Sequence, residues 1–235
     1  MAKTLKNLVR TILPRKIREQ VEEVRHLGLP LPLRVVRSHT LVSIFSMLYL
    51  QELMRRIGES GTEGDIVECG VYRGGSAAVL GWEMMRLPGR RHLWLYDAFQ
   101  GMPAASDHDD DYSKSIVGQF VGSEANARRL LHRLKVPETR FHIVAGWFND
   151  TLPVTKVSSI ALLHIDCDFY EPVNLVLNTL YKRVAPQGYV VLNDYGSFTA
   201  CKKATDEFLK GLDSSIKLQQ IDRDAYFFQK PQESN

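Results

Sequence analysis

Ile66-Val67-Glu68-Cys69-Gly70-Val71-Tyr72-Arg73-Gly74-Gly75-Ser76 is the stretch from which the rest of the chain is read. An apolar strand pattern runs into an acid and then into a turn carrying three glycines, after which Ser76 and Ala77 open a helix. Glycine takes positive φ freely and has no Cβ. Gly70, Gly74 and Gly75 therefore permit a tight bend and let bare backbone approach a nucleotide-like ligand at a helix N-terminus. The dinucleotide turn reads G-x-G-x-x-G, whereas the spacing here is E-x-G-x-x-x-G-G. An acid at Glu68 would repel a pyrophosphate and favour a cation, such as the amino group or sulfonium of S-adenosylmethionine. The turn alone does not separate this reading from a bend that only packs a strand on a helix.

The elements around it decide the fold class. After Pro30 and Pro32, Ser38 and Thr40 can cap a helix whose apolar residues Leu41, Ile44, Phe45, Leu48 and Met54 recur at three and four. Strand and helix patterns then alternate. Strands are expected at Asp65 to Cys69, His92 to Tyr96, Phe141 to Ala145, Ile160 to Ile165 and Gly188 to Leu192. Between them lie helices at Ser76 to Met85, Glu124 to Leu134 and Val173 to Val184, and a helix from Cys201 to Leu212 follows. Lys217 to Ile221 and Ala225 to Gln229 flank the polar turn Asp222-Arg223-Asp224 as an antiparallel pair. The pattern is that of an α/β domain, a mostly parallel seven-stranded sheet ending in an antiparallel hairpin. The polar stretch from Gln100 to Gly122, with Asp107-His108-Asp109-Asp110-Asp111, reads as a long loop of the kind that often forms a lid, its acids solvated.

Ligands of open α/β sheets sit beyond the carboxyl ends of the strands. The second strand ends at Asp97, placed to accept ribose hydroxyls, and Phe99 follows it. The third ends at Gly146-Trp147, whose indole could cover an adenine. The fourth ends in Asp166-Cys167-Asp168 and the fifth in Asn193-Asp194. Three carboxylates and an amide at neighbouring strand tips repel one another unless a cation sits among them, and such oxygen donors select a hard ion, Mg²⁺. The competing reading is that these acids cap the helices that follow.

These residues resemble the macrocin-type sugar O-methyltransferases of antibiotic biosynthesis, within the class I S-adenosylmethionine-dependent methyltransferases and their Rossmann-like fold. The resemblance runs from about Ser38 to Lys230. It rests on the glycine stretch, on Tyr96-Asp97-Ala98-Phe99-Gln100-Gly101-Met102-Pro103, on His164-Ile165-Asp166-Cys167-Asp168-Phe169-Tyr170-Glu171, and on Asn193-Asp194-Tyr195 with Cys201-Lys202-Lys203-Ala204. It implies S-adenosylmethionine bound by Glu68, Gly70, Tyr72, Arg73, Gly74, Gly75, Ser76, Asp97, Phe99, Gly146, Trp147 and Asp166. It implies Mg²⁺ at Asp166, Asn193 and Asp194, and Asp168 as the general base. Family members usually carry Asp-Asp where this chain has Asn193-Asp194, which removes one negative charge and keeps a carbonyl oxygen. Catechol-type enzymes place a lysine base where Phe169 stands, which argues against their mechanism.

With 235 residues the chain can bury one sizeable core, here a domain over residues 38–235 behind a helical arm over residues 1–37. The arm holds nine Lys or Arg against three Glu, although the whole chain is only +3. Its apolar residues Leu5, Leu8, Val9, Ile12 and Leu13 repeat at helical spacing. Packing on the fold or on a second subunit of a homo-oligomer is favoured over contact with an anionic membrane. Confinement of the positive charge to the arm argues against nucleic acid as a partner. Cys69, Cys167 and Cys201 are too scattered for a disulfide framework and read as reduced thiols of a cytoplasmic protein without a secretory segment. The expected function is metal-dependent O-methylation of a sugar hydroxyl. The alternatives are a non-sugar diol or phenol as the acceptor, or a binding module that holds S-adenosylmethionine without catalysis.

Overall fold

A computed structural model describes residues 28–212 and 216–232. The basic arm, apart from its last ten residues, lies outside them. Among the described residues the strands are β1 (Asp65–Cys69), β2 (Leu93–Asp97), β3 (Phe141–Ala145), β4 (Ile160–Ile165), β5 (Val184–Leu192), β6 (Gln219–Gln220) and β7 (Tyr226–Gln229). They form one seven-stranded sheet in the order β3-β2-β1-β4-β5-β7-β6. Only β7 runs against the others, pairing antiparallel with both β5 and β6. The strand order reverses between β1 and β4, which is where an open α/β sheet leaves a crevice.

Alternate residues of each strand enter different cores. Ile66, Leu93, Leu95, Leu162 and Val191 pack under the helices α1 (Leu31–Val36), α2 (Ile44–Ser60), α3 (Gly75–Met84) and α5 (Glu124–Arg133). Val67, Cys69, Tyr96, Leu163, Ile165 and Val190 face α7 (Tyr170–Leu180) and α8 (Thr199–Lys210). Two short helices, α4 (Asp111–Ser115) and α6 (Phe148–Thr151), sit in the loops above the strand ends. Strands covered on both faces are apolar throughout, so β4 is buried at every position.

The structure moves several expected boundaries. α2 begins at Ile44, because Ser43 rather than Ser38 or Thr40 accepts the first free N–H, from Ser46 at 3.0 Å. Leu41 thus stands outside the helix and is exposed. α7 starts three residues early and ends at Leu180. Pro172 and Glu171 fit its first turn, where proline displaces no helix hydrogen bond and an acid meets the positive dipole end. Val184 therefore belongs to β5, whose pairing with β4 breaks across residues 185–188, a bulge that accommodates Pro186. Helix α1 lies at the end of the expected helical arm, beside the prolines that punctuate it. Pro30 and Pro32 stand at its N-terminal end, where they are tolerated, and Leu33 and Val36 bury beneath it.

One contact sets the crevice. Gly70 has φ +91°, and a Cβ built there would overlap the backbone carbonyl oxygen of Asp166. The tips of β1 and β4 can cross this closely only if the residue has no side chain. Gly70→Ala combines left-handed strain with a backbone clash, so a loss of about 3 kcal/mol is expected, or roughly 6–12 °C in Tm. Calorimetry of the two proteins checks this.

Candidate active site

The tips of β1, β2, β4 and β5 open into a cleft of about 1040 Å³. Gly70, Tyr72, Ser76, Asp97, Trp147, Asp166, Asp168, Asn193 and Asp194 all stand on its wall. On one side the carboxylate of Asp97 organises the glycine turn. Its Oδ2 accepts the N–H groups of Val71 at 2.7 Å and Tyr72 at 2.8 Å, and its Oδ1 accepts that of Phe99 at 2.6 Å. Tyr72 and Phe99 have φ values of 50° and 55°, which aromatic side chains disfavour, and these hydrogen bonds help hold them there. An ionised carboxylate offers about four acceptor positions. Three are taken, so Asp97 retains about one for a ribose hydroxyl, fewer than its place at the strand end suggests.

On the other side stand the acids of β4 and β5. Cys167 O accepts the N–H of Phe169 at 2.6 Å, and Asp168 between them has φ 57°, so Asp168 sits at the apex of a three-residue turn. Asn193 Nδ2 donates to Oδ1 of Asp166 at 3.0 Å and to Oδ1 of Asp194 at 3.1 Å. The backbone N–H of Asp168 also donates to Asp194. Burial, and then repulsion from Asp194, holds Asp168 well above the usual carboxylate range. Asp166 is raised likewise, by burial and by Asp194, Asp168 and Glu68 in turn. Burial pushes Asp194 up to about 6, and hydrogen bonds from Asn193 and Asp168 limit the rise. Asp194 Oδ2 is buried without a hydrogen-bond partner among the described residues.

Among the described residues no three His, Cys, Asp or Glu side chains form a group that could hold a metal ion by themselves. The oxygen-bearing set at this tip is completed by the amide of Asn193. An orphaned carboxylate oxygen and mutually repelling acids are what a hard cation would satisfy, so the donor set fits Mg²⁺ chemically.

The remaining predicted residues stand behind the wall. Glu68 is fully buried, and its Oε1 is hydrogen-bonded to Nδ1 of His164 at 2.8 Å across the paired strands β1 and β4. It does not line the cleft, and the alternation of β1 places it on the face that packs under α2 and α3. Arg73 is exposed, its guanidinium 5.0 Å from the ring of Tyr72. Gly74 and Gly75 bring α3 against Ala127 and His39. Phe99 contributes its N–H to Asp97, and Gly146 packs on Thr151. Cys167 reaches the cleft, but burial pushes its thiol well up, as it does for Cys69 and Cys201. Thr40, Met102, Tyr112, Phe120, Glu171 and Phe198 also line the cleft. They come from loops and helix starts whose sequence carries no period, so strand-tip reasoning does not reach them.

The macrocin O-methyltransferase (TylF) family model matches residues 3–230. The chain belongs to that family. It is 30% identical over 215 residues to the demethyldecarbamoylnovobiocin O-methyltransferase of Streptomyces niveus, covering 89% of this chain and 81% of that one. It is 28% identical over 220 residues to the mycinamicin III 3''-O-methyltransferase of Micromonospora griseorubida, covering 89% and 84%. The solved O-methyltransferase NovP matches with a TM-score of 0.76 at 29% identity, over 83% of each chain. The fold is thus that of the class I methyltransferases, and this macrocin-type enzyme is an S-adenosylmethionine-dependent O-methyltransferase. No helix among the described residues is long and apolar enough to cross a membrane.

The buried Glu68–His164 pair generates a test. His164→Leu leaves the Glu68 carboxylate in the core without its partner, at an expected cost of roughly 2–5 kcal/mol. The double variant Glu68→Leu/His164→Leu should recover much of that loss, and denaturant titration of all four proteins in the cycle measures it.

Proposed function

We propose that this enzyme methylates a hydroxyl of a sugar carried by a glycosylated natural product, with Asp168 as general base and Mg²⁺ held by Asp166, Asn193 and Asp194. The observation that carries the reading is the gathering of three carboxyl groups at two adjacent strand tips, Asp166 and Asp168 half-buried and Asp194 buried with its Oδ2 left unpartnered. The relatives support the acceptor class, since one is named for demethyldecarbamoylnovobiocin, another for mycinamicin III and a third for a rhamnosyl-bearing tetracenomycin C.

The donor's nucleoside end is assigned to the side of the cleft bearing Asp97, Phe99 and Gly146-Trp147, and its amino-acid end to Gly70, Tyr72, Arg73, Gly74, Gly75 and Ser76. Asp166 lies between the donor and the acceptor. A sugar hydroxyl is a poor nucleophile at neutral pH, and the cation, when bound, would lower its pKa as a Lewis acid. Asp168 takes the hydroxyl proton, the oxygen forms a bond to the methyl carbon, and the carbon–sulfur bond breaks to release S-adenosylhomocysteine. Holding acceptor and donor together in this cleft supplies up to roughly 7–11 kcal/mol of the barrier.

Asp168→Ala should lower kcat by about 10²–10⁴-fold and leave S-adenosylhomocysteine affinity within a factor of two, as read by transfer of labelled methyl and by titration calorimetry. Turnover at the parent rate would refute the assignment of the base. Metal has a readout of its own. At a hundred times its Kd, Mg²⁺ should add about 2.7 kcal/mol to the stability of the chelator-treated enzyme. Asp194→Ala should abolish that gain, and an unchanged melting curve for the parent protein on adding Mg²⁺ would refute the ion site.

A further inference from the structure

We infer that Asp109, in the acidic run of the long loop, is a positioning residue for Asp168. The inference rests on the reading of Asp168 as the base. One acid of the run departs from the solvated stretch its composition suggests, while Asp107, Asp110 and Asp111 are exposed. Asp109 is only 4% exposed, and both of its carboxylate oxygens are engaged. Oδ2 accepts the N–H and the hydroxyl of Ser106, each at 2.7 Å. Oδ1 accepts the N–H of Tyr170 at 3.0 Å.

Tyr170 is the first residue of α7, two positions after Asp168. The first N–H groups of a helix have no partner within it and are usually capped by the side chain of the preceding residue. That residue here is Phe169, which has no side-chain acceptor. Asp109 supplies the cap from 61 positions earlier in the chain. It therefore fixes the far end of the segment whose near end is the strained turn at Asp168, with φ 57°. A conformation of this kind persists only where its surroundings over-determine it.

Further contacts clamp the same loop. The ring of His108 packs tilted against that of Tyr170 with centres 4.1 Å apart, and Lys203 of α8 donates to Nδ1 of His108 at 2.8 Å. Thr199 donates to Oδ2 of Asp110 at 3.3 Å. The loop also contributes Met102, Pro103 and Tyr112 to the cleft wall. The wall that meets the acceptor and the segment that carries the base are thus joined through one buried carboxylate.

The test uses the full-length protein. Asp109→Ala should raise hydrogen exchange at the Tyr170 amide at least tenfold, with β4 still protected. It should lower kcat by about 10–100-fold, the scale on which misplacement of a reacting group by about 1 Å is felt. Affinity for S-adenosylhomocysteine should stay within threefold. Asp109→Asn retains an oxygen for the Tyr170 N–H and should recover kcat to within about threefold of the parent. Unchanged kcat in Asp109→Ala would overturn the inference. So would kcat, cofactor affinity and β4 protection falling together in both variants, because Asp109 would then be a general stabiliser. If Asp168→Ala itself proved active, the assignment of the base would have failed. Accelerated exchange at Tyr170 in Asp109→Ala would still show the cap holding that segment.

Discussion

The carbonyl of Asp166 lies directly over Gly70, and the whole cleft follows from that crossing. It brings the end of β1 and the end of β4 closer than two ordinary residues could come. A cofactor turn and an acidic strand tip therefore share one wall. Four non-glycine residues on or just behind the cleft wall, Tyr72, Phe99, Phe120 and Asp168, have positive φ, and hydrogen bonds outside regular structure hold the turns at Tyr72, Phe99 and Asp168. Strain of this kind concentrates where geometry has to serve chemistry. Two carboxylates do most of the holding: Asp97 fixes the glycine turn, and Asp109 caps the helix start beyond Asp168.

Electrostatics adds a second constraint. Burial raises Asp166, Asp168 and Asp194 alike, Asp194 further raises the other two, and Glu68 adds to the rise of Asp166 from the core. An unpaired carboxylate at Glu68 would add to that repulsion. Its hydrogen bond to His164 answers part of the cost, and His164 in turn lies near enough to Asp194 to favour its ionised form. The acid of the glycine motif thus acts on the site through the core, without facing the ligand.

The alternation of strand and helix, the parallel sheet and the acidic tips were legible in the sequence because each rests on a short-range regularity. β4 is continuously apolar because both its faces are covered, and Asp166-Cys167-Asp168 follows at once. What was not legible depended on distant partners. Whether Glu68 faces the ligand or the core is set by its register against His164, 96 residues away. Asp97 carries no mark of the three backbone N–H groups that fill it. Asp107-His108-Asp109-Asp110-Asp111 looks solvated because nothing local shows that one of its acids caps α7.

Asn193 shows how the site tolerates its own charge. Where the family resemblance implies a second aspartate, this chain has an amide whose Nδ2 bridges Asp166 and Asp194. A carboxylate there would be a fourth negative group in a buried cluster that already pushes its members up. It would raise affinity for a divalent ion and also the cost of standing without one. The amide reverses the balance. It donates to the two acids, lowering their repulsion, and still carries a carbonyl oxygen able to ligate a hard cation. Relative to an Asp-Asp pair, Asn193 therefore favours a tip that keeps its shape without an ion, and on the proposed reading it would hold an ion less tightly.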